Sequence, residues 1–517
     1  MVTNRKYPVG IQNFEKIRRE NYVYVDKTAL LYKMVSTGKY YFLNRPRRFG
    51  KSLLVNTLLS YFEGKRELFQ GLAIEHMETE WKSYPVFRFD FSAGKFETRE
   101  MLKQAIDYKL SEMEAIYGIP HDGYTPNIRM TRLIKTAYKQ TGRQVVVLVD
   151  EYDAAMLQHI DNDDIQDEMR MEMLNLFSPL KEADPWLRFV LLTGVTKFSQ
   201  MSIFSSLNNL ENISMIPQYD TLCGISEEEL TTQLRPDIEL LADSYGNSYD
   251  DTLKELKEMY DGYHFSEGKT DMYNPYSLLN AFKSQKIASY WFGSGTPTFL
   301  IKLLRRFRLD VRELEGIRCM VSTFDIPVDH VHDPVPVLYQ SGYLTIKEYL
   351  RSRDSYQLGF PNKEVRTSFA NSLFDYVAPD NVRERDWLHN AYQDFKDDND
   401  LSAFMEAIKT FLAGVSYQLS NDNERHYQAL LYTLLVAFGA NVQPEVATAK
   451  GRADIVLRMP LATYIFELKY DKTAAEALAQ INDRGYAEPY IKEGNRVVKV
   501  GINIGSKERN ITEWVSE

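Results

Sequence analysis

One stretch limits the fold more than any other: Phe42-Leu43-Asn44-Arg45-Pro46-Arg47-Arg48-Phe49-Gly50-Lys51-Ser52-Leu53-Leu54. An apolar strand runs into a basic turn and from there directly into an amphipathic helix. A Gly-Lys-Ser at a helix N-terminus offers converging backbone N–H groups, a lysine for the β/γ charge of a nucleoside triphosphate and a hydroxyl for Mg²⁺. Gly50, Lys51 and Ser52 stand at those positions, and Arg47 and Arg48 in the turn are counted with them as nucleotide-binding candidates. The general phosphate-loop pattern has glycine at its first position, where this sequence has Arg45. A second, independent signal is therefore needed.

Val145-Val146-Val147-Leu148-Val149-Asp150-Glu151 provides it. A short β-branched run ending in two acids is how a buried parallel strand delivers carboxylates to the carboxyl edge of a sheet, where open α/β folds bind ligands. Read as a Walker B strand, it sets Asp150 beside Ser52 on Mg²⁺ and gives Glu151 the water-polarising role. The same residues also fit a buried strand followed by a solvated acidic turn; the Gly-Lys-Ser helix upstream favours the nucleotide site.

The surrounding pattern is alternating. Leu54, Leu58 and Phe62 repeat at helical spacing until Gly64, and Tyr84 to Phe91 reads as a strand with Pro85 near its start, where a missing N–H is tolerated. Helical stretches over 97–117, 128–138 and 167–177 interleave with the Walker B strand and with Arg188 to Gly194. Strands alternating with helices predict a parallel α/β sheet. Thr193 and Thr196 end the last strand; a hydroxyl there would read the γ-phosphate or act as a local cap. The N-terminal segment, with Tyr22, Val23 and Tyr24, would lie against the base or simply pack as a strand and helix.

At 517 residues the chain is too long for one core. The pattern divides it into a phosphate-loop ATPase domain (1–225), a mainly helical lid and connector with a winged helix (226–377), a helical linker (378–420) and a C-terminal α/β domain (421–517). In the second region Val337 to Asn362 reads as helix plus β-wing, and the sequence does not separate DNA binding from protein contact for such a wing. Asp397-Asp398-Asn399-Asp400 marks a surface boundary. Two cysteines, Cys223 and Cys319, make no disulfide framework or metal-like pair, which fits a reducing cytoplasm. No apolar run is long enough to cross a bilayer, so no membrane partner is expected. The net charge of −10 argues against a general nucleic-acid coat while leaving room for a local basic cleft.

The C-terminal stretch again delivers carboxylates on strands, now without a phosphate loop. Gly451-Arg452-Ala453-Asp454 lies on one strand and Glu467-Leu468-Lys469 on the next, with Glu467 and Lys469 facing the same side. Asp454 and Glu467 would hold Mg²⁺, and Lys469 would orient the attacking water or stabilise developing phosphate charge.

This order and spacing resembles the PD-(D/E)XK nuclease superfamily, whose fold is that of restriction endonucleases, with Glu424 on the preceding helix as an additional acidic ligand. Some relatives carry a Gln followed one helical turn later by Tyr; here Gln480 is followed by Arg484, with Tyr486 on another face of any continuous helix. Tyr24-Val25-Asp26-Lys27-Thr28, the Arg45 to Ser52 loop, Asp150-Glu151-Tyr152-Asp153, Tyr260-Asp261-Gly262-Tyr263, Tyr273-Asn274-Pro275, Ser341 to Thr345 and Phe360-Pro361-Asn362 extend the likeness. The chain resembles the bacterial AAA-ATPase-like family with a C-terminal nuclease-like domain. That resemblance implies ATP and Mg²⁺ as cofactors and a nucleic acid, DNA or RNA, as partner, with homo-oligomerisation as a further expectation. Two activities remain open: an ATP-controlled, Mg²⁺-dependent nuclease, or a signalling or assembly ATPase whose C-terminal domain binds nucleic acid or protein without cleaving.

Overall fold

Runs of β-branched and aromatic residues form strands where both faces can be buried, and such runs build the first sheet. The computed structural model describes residues 5–197, 210–268, 270–293, 298–307, 310–324, 331–377, 382–415, 423–492 and 496–517. Strands β1 (Tyr40–Asn44), β2 (Val86–Asp90), β3 (Val145–Asp150), β4 (Leu187–Gly194) and the short β5 (Glu211–Asn212) pair in parallel in the order β2-β3-β4-β1-β5. Every residue of β1 and β3 is buried. Because β4 lies between β1 and β3, the carboxyl ends of these three strands share one edge, with Leu43 opposite Thr193 and Val149 opposite Leu192. Helices Lys51–Phe62, Arg99–Ile116, Pro126–Thr141 and Asp163–Phe177 connect the strands, as the alternating pattern requires.

The chain divides into two compact units, Met1–Phe307 with Gly316–Glu364, and Arg308–Glu315 with Val365–Glu517. Within the first unit, helices Glu227–Gln233, Arg235–Tyr245, Tyr249–Tyr260 and Pro275–Ser284 enclose a core that includes Leu230, Ile238, Leu241, Leu256 and Tyr260. Two short strands, β6 (Ile225–Ser226) and β7 (Met272–Tyr273), pair antiparallel beside it. Gly262 has φ 85°, and a Cβ there would come within 2.3 Å of the Pro361 carbonyl oxygen. Asn362 Nδ2 donates to the Asp261 carbonyl at 2.7 Å. Tyr260-Asp261-Gly262-Tyr263 and Phe360-Pro361-Asn362 thus form one packed junction, although a hundred residues separate them in the chain.

The helix and wing expected over 337–362 are present as helix Pro334–Gln340 followed by the hairpin of β9 (Thr345–Leu350) and β10 (Ser355–Gly359). A further strand, β8 (Ile317–Met320), pairs antiparallel with β10 and makes a three-stranded sheet in the order β8-β10-β9.

The second unit is built on β11 (Asn441–Thr448), β12 (Gly451–Arg458), β13 (Thr463–Tyr470), β14 (Val497–Gly505) and β15 (Asn510–Ser516), paired in chain order. Only β13 and β14 pair in parallel; helix Ala474–Arg484 makes the crossover between them. Helices Val382–Asp398 and Leu401–Ala413 stack Phe395 on Phe404, and Phe395 meets Tyr464 edge to face. The acidic run 397–400 is the turn between them: Asn399 has φ 59°, and the Asp400 side chain caps the next helix by accepting from Ala403 N at 3.0 Å. Of the expected linker, residues 378–381 and 416–420 lie outside the described residues. Among the described residues no helix is long and apolar enough to cross a membrane.

Candidate functional site

Gly50 caps the Lys51–Phe62 helix in the left-handed region, φ 98°, so the chain turns sharply from β1 into the helix. Lys51 is buried and folds back over the loop, donating from Nζ to the carbonyl oxygens of Arg45 (3.0 Å) and Pro46 (3.1 Å). Those two bonds hold the ammonium against the backbone of the loop. Arg47 and Arg48 lie over aromatic rings of the helical region: Arg48 over Tyr276 at 4.8 Å, Arg47 over Phe299 at 5.4 Å. Trp291 Nε1 donates to the Arg47 carbonyl at 3.1 Å, and a Cβ on Gly342 would lie 2.6 Å from Pro46 Cβ.

Arg45 occupies the position that carries glycine in the general pattern, and its side chain goes the other way. It is 1% exposed, donates from Nη1 to the Ser214 carbonyl (2.7 Å) and from Nη2 to that of Tyr219 (3.2 Å), and stacks its guanidinium on Phe265 at 4.1 Å. Burial lowers its pKa. The arginine therefore fastens the back of the loop and does not line the cleft in front of it.

The ends of β3 and β4 supply the acids. Asp150 is fully buried; Oδ1 accepts from the Thr193 hydroxyl at 2.8 Å, and Oδ2 has no hydrogen-bond partner. Burial pushes its carboxyl up, against the opposing effect of the Ser52 and Thr193 hydroxyls and the Lys51 charge. Glu151, at φ 53°, turns its carboxylate back so that Oε1 lies 3.7 Å from Lys51 Nζ. Thr193 is buried and bound to Asp150 and to the Val149 carbonyl, and it does not line the cleft. The sequence reading names Asp153 within the Asp150-Glu151-Tyr152-Asp153 motif and gives it no role. Its Oδ2 accepts from Val195 N, Thr196 N and the Thr196 hydroxyl, which holds the β4 end against the β3 end. Burial, followed by the charge of Glu151, pushes its carboxyl up to about 6.

A cleft of about 500 Å³ opens in front of the loop, lined among others by Arg47, Arg48, Lys51, Ser52, Glu151 and Tyr276. Next to it lies an apolar slot of about 90 Å³ that includes Tyr24, Val25, Leu31, Leu54, Ile225 and Leu279. The half-buried Lys27, paired with Glu229, lies at this slot.

In the second unit Ile455 pairs with Phe466, so the antiparallel register sets Asp454 opposite Glu467. Asp454 Oδ2 accepts from Leu468 N at 2.7 Å. Lys469 Nζ donates to Glu467 Oε1 at 2.9 Å and lies 3.7 Å from Glu424 Oε1. Burial raises the pKa of both carboxyls, and for Glu467 the facing Asp454 adds to it. Burial disfavours the Lys469 ammonium, but Glu467, together with the charges of Glu424 and Asp454, holds its pKa above the ordinary value. Glu467 Oε2 is buried without a hydrogen-bond partner.

Here the structure corrects the reading of Gln480. A continuous helix would carry Tyr486 to another face, but the helix stops at Arg484 with Gly485 left-handed at φ 62°. That turn returns the Tyr486 hydroxyl to within 3.4 Å of Gln480 Nε2, which itself donates to Glu467 Oε1. Gln480 therefore belongs to the carboxylate cluster, and the Gly485 helix stop was the available signal.

Both acid groups fit a hard divalent cation. Each includes a buried carboxylate oxygen without a hydrogen-bond partner, Asp150 Oδ2 and Glu467 Oε2; the Ser52 hydroxyl acts on the Asp150 carboxyl and the Asp454 charge on that of Glu467. Among the described residues no three His, Cys, Asp or Glu side chains form a complete ligand set.

Residues 8–204 match the family model described as Predicted AAA-ATPase, and residues 422–514 match that of the PD-(D/E)XK nuclease superfamily. The chain is also similar to the "Uncharacterized protein in vnfD 5'region" of Azotobacter chroococcum mcd 1, with 33% identity over 530 residues, covering 100% of this chain and 99% of the relative.

Proposed function

From a chain that belongs to the AAA-ATPase-like family with a C-terminal PD-(D/E)XK nuclease-superfamily domain, we propose that ATP bound and hydrolysed in the first unit controls Mg²⁺-dependent cleavage of nucleic acid in the second. One observation carries this reading: each unit brings a lysine within 4 Å of one acid of a carboxylate pair, and each pair includes a buried oxygen without a hydrogen-bond partner, Asp150 Oδ2 in the first and Glu467 Oε2 in the second.

In the first unit Lys51 meets the β- and γ-phosphates, with Gly50 and the helix N-terminus supplying N–H groups and Arg47 and Arg48 flanking them. The adjoining apolar slot takes the base. Glu151 orients the attacking water. Thr193 keeps the Asp150 carboxylate turned toward Ser52, which gives this threonine a positioning role in place of reading the γ-phosphate. In the second unit Asp454 and Glu467 would hold Mg²⁺, whose charge, when bound, lowers the pKa of water and neutralises developing phosphate charge. Lys469 and Gln480 both donate to Glu467 Oε1, so they fix that carboxylate; Lys469 also presents positive charge to the scissile phosphate.

The test is cleavage of single- and double-stranded DNA and RNA by the full chain with Mg²⁺, with and without ATP. The expected result is Mg²⁺-dependent cleavage whose rate changes with nucleotide. ATP hydrolysis without cleavage of any substrate would replace the nuclease by a binding-only domain.

A further inference from the structure

The chain enters the second unit twice, first as Arg308–Glu315 and again from Val365 onward. The first visit lies outside both segments matched by family models. It nevertheless packs on the helix that begins the nuclease-like domain: Val311 and Leu314 are buried, and the turn Val311–Leu314 lies against Glu424–Ala437. Between them Arg312 is 7% exposed. Its Nη1 donates to Gln428 Oε1 at 3.0 Å and its Nη2 to the Arg425 carbonyl at 3.0 Å, while Asp310 accepts from Nε and Nη2. Gln428, also buried, donates from Nε2 to Glu424 Oε1 at 3.4 Å, and its amide faces Asp454.

A guanidinium only donates hydrogen bonds, so the atom of Gln428 that faces Arg312 must be the oxygen. The NH₂ group is then forced toward the carboxylates. We infer that Arg312 is a positioning residue for the acidic site: by occupying Gln428 Oε1 it locks the amide with its N–H groups toward Glu424 and Asp454, so that a segment from the middle of the chain completes the metal-binding site. Without Arg312 the buried oxygen loses its donor. The amide is then free to flip, turning lone pairs against the carboxylates in place of N–H groups. Groups that orient metal ligands from behind typically change metal affinity by about 10- to 100-fold.

This inference rests on the reading of the second unit as a metal-dependent site, and the experiment separates the two. Calorimetric titration of the full-length chain with Mn²⁺ and with Mg²⁺ compares wild type, Arg312→Met, Gln428→Met and the double variant, with thermal melts beside them. Each single change should weaken binding about tenfold, and the double variant should lose no more than either, since both act through one hydrogen bond. Arg312→Lys, which can still donate to Gln428 Oε1, should recover part of the affinity. Wild-type affinity in Arg312→Met, or losses that multiply to about a hundredfold in the double variant, would overturn the positioning role while leaving the metal site in place. If Arg312→Met does not fold, Gln428→Met decides alone: wild-type affinity there overturns the inference. A wild-type chain that binds neither cation overturns the metal reading itself and the positioning role with it.

Discussion

Lys51 Nζ stands 3.7 Å from Glu151 Oε1 while donating to the carbonyl oxygens of Arg45 and Pro46. The two side chains should fail differently when changed. Lys51→Ala removes the cation that meets the phosphates, so nucleotide affinity should fall at least about a hundredfold, the scale expected for a buried charge-assisted contact. Glu151→Gln removes only the group that orients water and should retain ATP while hydrolysing it slowly. Titration with a fluorescent ATP analogue beside a phosphate-release assay distinguishes them; equal affinity in wild type and Lys51→Ala would refute the phosphate-loop assignment.

Arg45→Gly restores the general loop pattern and should nonetheless damage the protein. The buried guanidinium serves the carbonyls of Ser214 and Tyr219, and each left unpaired costs about 1–3 kcal/mol. A loss of about 3 kcal/mol in chemical denaturation is expected, with nucleotide affinity of the folded fraction little changed. Tighter nucleotide binding at unchanged stability would show that Arg45 obstructs the loop.

The acids and lysines of both sites were legible because covalent spacing alone carries them. Gly50, Lys51 and Ser52 share one turn, Asp150 and Glu151 end one strand, and Glu467 and Lys469 alternate on another. What stayed hidden depends on where a side chain goes once the chain has folded. Arg45 finds its acceptors about 170 residues downstream, and no local pattern announces Ser214 or Tyr219. Tyr486 rejoins Gln480 only because Gly485 ends the helix, while residue counting along an ideal helix points to Arg484. Arg312 lies far from the motif it supports and carries no signature of its own. The strand order that puts β4, with Thr193, between β1 and β3 is likewise a property of the sheet.

Glu364 provides a pH-dependent readout of the first unit. Its Oε1 accepts from Ser277, Tyr290 N and Trp291 N, its Oε2 has no partner, and burial pushes its carboxyl up to about 7. The folded state therefore binds the proton more tightly than the unfolded state. Stability from this group is fully present below the ordinary carboxylate range and is lost as pH rises through about 7, on the order of 3 kcal/mol in total. Glu364→Gln should flatten that slope between about pH 4.5 and 7 in urea denaturation followed by tryptophan emission. An unchanged slope would show that Glu364 is ionised in the folded protein.

Glu467 and the three residues around it should separate into two phenotypes and an intermediate. Asp454→Asn and Glu467→Gln each remove a charged oxygen donor, so Mg²⁺ affinity should fall at least about tenfold and cleavage with it. Lys469→Met leaves both carboxylates and removes a hydrogen bond and a positive charge beside them, so it should retain most of the cation affinity and slow cleavage by about a hundredfold or more. Gln480→Leu removes the second donor to Glu467 Oε1 and should lie between them, with a modest loss of affinity and a partial loss of rate. Because the proposed ATP site lies in the other compact unit, ATP turnover in the absence of nucleic acid should be unchanged in all four. Calorimetry, cleavage and phosphate release on the same preparations check this division. If Lys469→Met lost cation affinity as severely as Asp454→Asn, fixing the carboxylate would account for the whole of the lysine's effect, and its further role at the scissile phosphate would be withdrawn.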